Sequence, residues 1–64
     1  MTKDQEDRVR KYVRRIRNNA KRAYAVAYVR HIQRHETEPT SQDFGLSVMG
    51  AQAVRLALRD ILTA

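Results

Sequence analysis

Apolar residues recur at Val9, Tyr12, Val13, Ile16, Ala20, Ala23 and Ala27, the spacing that lines one face of an α-helix. No Gly or Pro interrupts this pattern up to residue 35. Asp4, Glu6 and Asp7 stand at its head, where acids interact favourably with the helix dipole, and Thr2 or Asp4 is placed to cap it. The pattern predicts one helix over about residues 4–35, about 45 Å long at the α-helical rise. Its weakest point is Asn18-Asn19, which together cost about 1 kcal/mol of helix propensity. That favours a bend more than a break, the alternative being a three-helix monomer divided there.

Residues 23–29 (AYAVAYV) are apolar nearly all round, so this stretch of the helix should be covered on more than one side. Residues 36–46 form the connector. Pro39 disfavours helix at Glu38, Thr40 and Ser41 suit a turn, and Gly45 permits a positive φ. Ser47 then caps a second helix over about residues 47–62. Its apolar positions include Val48, Met49, Ala51, Val54, Leu56, Leu58, Ile61 and Leu62, and its polar side shrinks to Ser47, Gln52, Arg55, Arg59 and Asp60. Gly50, Ala53 and Ala57 would let another helix approach closely.

A chain of 64 residues makes one small domain, residues 1–64, that buries only about 60% of its unfolded surface and is marginal alone. With no cysteine, disulfides and cysteine-ligated zinc are excluded. Two helices joined by one connector give an all-α fold, an αα-hairpin. A hairpin cannot cover so wide an apolar surface on the second helix, so a homodimeric four-helix assembly is expected.

Charge adds the functional expectation. Eleven of the thirteen Lys and Arg lie in the first 34 residues, and the net charge is +6. Residues 8–22 (RVRKYVRRIRNNAKR) hold eight Lys or Arg and no acid. On one continuous helix, Arg10, Arg14, Arg17 and Lys21 form a narrow row, with Arg8, Lys11, Arg15 and Arg22 beside it. Like charges at helical spacing cost stability, and no acid within the stretch offsets them. Six of the eight are Arg, whose planar fork grips phosphate in bidentate fashion. The expected function is phosphate-dominated nucleic-acid binding, duplex DNA first, in a regulatory or architectural role. Asn18, Asn19 and Gln33 are candidates to touch bases or sugars. The alternative is an adaptor or inhibitor that docks on an acidic surface of a host protein through the same arginines, with Tyr12 and Tyr28 as anchors.

Other constellations are weaker. A helix-turn-helix over residues 40–62 would leave only Gln52, Arg55 and Arg59 to face a groove, and its second helix is too apolar. Tyr24 and Tyr28 could stack on bases but suit a core or an interface better. His31 and His35 would share a helical face beside Glu36 or Glu38, which is half a metal site, and neither metal nor cofactor is expected. No nucleophile has an obvious base, so no enzyme is expected. The basic helix has few bulky apolar residues to insert into a bilayer, and no apolar run approaches a membrane span, so the expected compartment is cytoplasmic.

Gly45-Leu46-Ser47-Val48-Met49-Gly50-Ala51-Gln52-Ala53-Val54-Arg55 resembles a segment of small uncharacterised helical proteins of actinobacteria and their phages. The resemblance covers about a sixth of the chain. It implies a phage or mobile-element accessory protein and identifies no functional residues.

Overall fold

The computed structural model describes residues 1–63. Among them are three α-helices, α1 (Lys3–Arg15), α2 (Asn19–Arg34) and α3 (Val48–Thr63), with a single 3₁₀ turn at Gln42–Phe44 and no strand. The all-α expectation holds. The continuous helix over residues 4–35 does not, and with it goes the two-helix hairpin. The longest dimension of the chain is 30 Å, short of the roughly 45 Å such a helix would need.

The break falls at residues 16–18, and its cause is capping. Ile16 leaves helical geometry at ψ 117°, and Asn18 is extended at ψ 122°. The Asn18 side-chain Oδ1 accepts a hydrogen bond from the Lys21 backbone N–H at 3.0 Å, satisfying one of the four donors that a new helix leaves free. Asn is among the best N-caps, so the residue that weakens a helix interior here starts one. Ile16 is buried at the corner, which turns α2 back along α1.

Thr2 and Gln5 form a reciprocal capping box at the head of α1, Thr2 Oγ1 accepting from Gln5 N at 3.1 Å and Gln5 Oε1 from Thr2 N at 2.9 Å. Ser47 caps α3 as expected, its Oγ accepting from Gly50 N at 3.0 Å. At the far end of α2, His35 adopts φ 57°, a left-handed conformation usually left to Gly. Gly45 follows the 3₁₀ turn at φ 65°, where a side chain would be strained.

Side-chain contacts fix the topology. Gln33 near the end of α2 meets Met1, and Gln5 Nε2 donates to the Leu62 carbonyl at 3.0 Å, so the start of α1 lies beside the ends of α2 and α3. Phe44 sits edge-on to Tyr24 with ring centroids 5.8 Å apart, so the connector runs back towards the beginning of α2 before α3 begins. α2 and α3 therefore run in the same direction and α1 runs against both. The connector takes the role of a crossover rather than a hairpin loop.

The core is Val9 and Ile16 from α1, Tyr24 and Ala25 from α2, and Ala51, Val54 and Leu58 from α3. Tyr24, Val54 and Leu58 are its largest fully buried side chains. Residues 23–29 are covered on several sides as expected, with the exception of Ala23 and Val26, which face solvent. Tyr24 is a core residue and is unavailable for base stacking. Its hydroxyl accepts a hydrogen bond from Arg55 Nη1 at 3.0 Å. That bond holds the Arg55 guanidinium proton more tightly than usual and turns Arg55 inward, away from any groove-reading surface on α3.

Candidate nucleic-acid interface

The break redistributes the cations expected on one rod. Arg10 and Arg14 stay on α1, Arg17 falls in the corner, and Lys21 moves to α2, where it is half-buried. The narrow row Arg10–Arg14–Arg17–Lys21 therefore does not exist as a row. Arg8, Lys11 and Arg15 keep their helical spacing on an exposed flank of α1. Arg22 curls back over the corner, its Nε donating to the Ile16 carbonyl at 3.1 Å and its Nη2 reaching the Arg17 carbonyl at 3.5 Å. Those bonds satisfy carbonyls at the end of α1, so Arg22 fixes the corner as well as carrying charge.

The acids at the head of α1 also reach the basic face. Arg8 Nε lies 3.6 Å from Asp4 Oδ2, and Arg10 Nη1 lies 3.8 Å from Asp7 Oδ1. Both pairs are largely exposed and each contributes at most about 1 kcal/mol. They correct the expectation that no acid offsets this face, though they leave Lys11, Arg14, Arg15 and Arg17 without an ion pair among the described residues. Their i,i+4 and i,i+3 spacings were readable in the sequence.

The structure adds two arginines that lay outside the expected row. Because α2 folds back along α1, Arg30 and Arg34 come to line one groove with Arg10 and Arg14. Arg30 and Val26 also line a second depression nearer the start of α2, with Asn19 and Arg22. From residue 8 to residue 34 the chain holds ten Lys or Arg and no Asp or Glu, and all ten but Lys21 are exposed. By contrast α3 carries only Arg55, Arg59 and Asp60 as charged residues. The molecule thus has a strongly basic α1–α2 side and a nearly neutral α3 side.

Among the polar candidates, Asn18 has its side-chain oxygen committed to the cap on α2. Asn19 and Gln33 are exposed beside the basic side chains. The two histidines do not share a helical face, since His35 lies past the last residue of α2 in left-handed geometry. His31 Nδ1 lies 2.6 Å from the Glu36 carbonyl, which places the proton on that nitrogen for donation. Among the described residues no three His, Cys, Asp or Glu gather as metal ligands, and no helix is long and apolar enough to cross a membrane.

Comparison with known protein families, with curated proteins and with solved structures finds no match to this chain. The resemblance of residues 45–55 to small actinobacterial and phage proteins gains no support from those comparisons.

Proposed function

We propose that the chain binds nucleic acid, duplex DNA first, through phosphate contacts from the outward surfaces of α1 and α2. The observation that carries this reading is the run of ten cations without an acid from residue 8 to residue 34, nine of them exposed. A regularly charged polymer rewards such a one-sign surface through counterion release, whereas a solvated face gains nothing from its self-repulsion. Arg8, Lys11 and Arg15 supply one flank, Arg10, Arg14, Arg30 and Arg34 the other, and Arg17 the corner between. Arg22 and Lys21 contribute charge from less free positions, and Asn18 contributes through the cap it provides. Phosphate contacts position a protein without reading sequence, so specificity rests on what Asn19 and Gln33 reach.

A homodimer completes the proposal. α3 leaves Met49 80%, Val48 70% and Leu56 53% exposed on a face whose charged residues, Arg59 and Asp60, are of opposite sign. Two copies at +6 each repel wherever their basic sides meet, and the α3 face is where they can approach without that penalty. A two-fold axis there would bury the apolar stripe and leave both basic sides outward. Sedimentation equilibrium should give twice 7.5 kDa at micromolar concentration, and Met49→Glu with Leu56→Glu should return the 7.5 kDa species with its helicity intact. A wild-type monomer under those conditions contradicts the dimer.

Fluorescence anisotropy against a labelled duplex, the corresponding single strand and a duplex RNA tests the main reading. Tight binding to the duplex, weakened about equally for any duplex sequence by Arg14→Ala or Arg15→Ala, is the expected result. Failure to bind any of the three at low salt rules the proposal out.

A further inference from the structure

The groove between α1 and α2 has a floor as well as a rim. Val9, Val13, Val26 and Val29 line its base, two from each helix, and Arg10, Arg14, Arg30 and Arg34 stand along its edges. Its volume is about 300 Å³. That is the small end of the ~300–1,000 Å³ typical of ligand pockets, and it suits a short stretch of chain rather than a folded surface. Val9 is nearly closed off while Val26 is 36% exposed, so the floor is open enough to be covered from outside.

Phosphates account for the rim and not for the floor. A valine has no aromatic face on which a base could stack, and a phosphodiester gains nothing from methyl groups. The occupant that satisfies both has apolar side chains in a line with carboxylates on either side. Carboxylates suit this rim because a guanidinium takes both oxygens of one group in parallel hydrogen bonds. Arg14, Arg30 and Arg34 have no acidic partner among the described residues, and only Arg10 has a loose one, Asp7 at 3.8 Å. The rim is therefore charged and unspent.

We infer that this groove binds an acidic amphipathic helix of a partner protein, its apolar anchors at helical spacing against Val13, Val26 and Val29 and its Asp or Glu residues on the four arginines. The site stands on the groove alone and does not depend on nucleic-acid binding. Because it uses Arg10, Arg14, Arg30 and Arg34, a bound helix of this kind would compete with phosphate for the same cations.

The probe is a fluorescein-labelled synthetic peptide with Leu at i, i+3, i+4 and i+7 and Glu elsewhere. A scrambled peptide of identical composition has the same charge and no apolar face. Anisotropy titrations without nucleic acid should show the amphipathic peptide binding about tenfold more tightly than the scramble. Val26→Asn should weaken the amphipathic peptide by a similar factor while leaving duplex DNA affinity unchanged, and Arg14→Ala with Arg34→Ala should weaken both ligands. Circular dichroism verifies that each variant is folded, and the two arginines are exposed, so that pair does not touch the core. Equal binding of the two peptides, or indifference of the amphipathic peptide to Val26→Asn, would reduce the effect to charge attraction and overturn the inference. So would no peptide binding by a protein that still binds duplex.

Discussion

Asn18→Ala should destabilise the protein although the residue is exposed and is not one of the core residues. The perturbation removes one hydrogen bond, from Lys21 N to Asn18 Oδ1 at 3.0 Å, at the point where α2 begins. Replacing an Asn N-cap by Ala costs about 1 kcal/mol. For a domain of this size that lowers the midpoint of thermal unfolding by about 4–8 °C. Ala also has a better helix propensity than Asn, so the substitution favours the competing continuous helix that would carry Ile16 out of its buried corner. Asn18→Asp keeps the acceptor and adds a negative charge at the α2 N-terminus, so it should melt at or above the wild type. Asn19→Ala is the control. Asn19 is the first residue of α2 and makes no cap bond, so there the better propensity of Ala should raise stability by up to about 0.7 kcal/mol. Thermal melts followed by circular dichroism at one protein concentration separate these outcomes. The reasoning is refuted if Asn18→Ala and Asn19→Ala shift the midpoint equally, because only the cap distinguishes the two positions.

Leu58 is fully buried, and Leu58→Ala should cost about 2–5 kcal/mol, measured by urea unfolding. That is comparable with the whole stability expected of a chain this short, about 3–10 kcal/mol, so a variant that unfolds like the wild type would deny Leu58 its place in the core. Burial raises the Tyr12 phenol above its ordinary value of 10.0. The neutral form is therefore favoured by the fold. Its contribution should be fully present below pH 10 and lost as pH rises through the folded value, and Tyr12→Phe should remove that part of the alkaline decline in urea midpoints. His35→Gly should raise stability by about 0.5–1 kcal/mol, since Gly takes the left-handed conformation at the end of α2 without steric cost. A lower melting temperature for that variant would show that the His35 side chain contributes something its geometry does not reveal.

The sequence made the helical class legible because apolar spacing, the Thr2 and Ser47 caps and the Gly45 turn are all local signals. It concealed the corner at residues 16–18 because Asn has two opposite local meanings, a poor helix interior and a good helix start. The burial of Ile16, which depends on the other helices, favours the capped start. The same event hid two of the four arginines of the groove. Arg30 and Arg34 lie twenty residues from Arg10 and Arg14 in sequence and meet them only because α2 folds back on α1. Arg22 can act as a brace only because the carbonyls it reaches lie at a helix end; in a continuous helix they would bond within the helix itself. The pairs Arg8–Asp4 and Arg10–Asp7 follow simple helical spacing, but their acids precede the acid-free stretch of residues 8–22. Tyr24 was ambiguous for another reason. A tyrosine beside an apolar seam reads equally as core or as stacking surface, and its partner Arg55 lies on another helix.

The most direct test of the central claim is the salt dependence of duplex DNA binding. If each protomer of a dimer neutralises about four phosphates, log K should fall linearly with log salt at a slope near −7, about 0.9 for each contact. Removing Arg8, Lys11 and Arg15 together should flatten that slope, by at most roughly five in the dimer, the limit in which each of the three makes one phosphate contact. Binding whose strength does not change between about 50 and 200 mM salt, or no binding at the lower concentration, would contradict a nucleic-acid interface on α1 and α2.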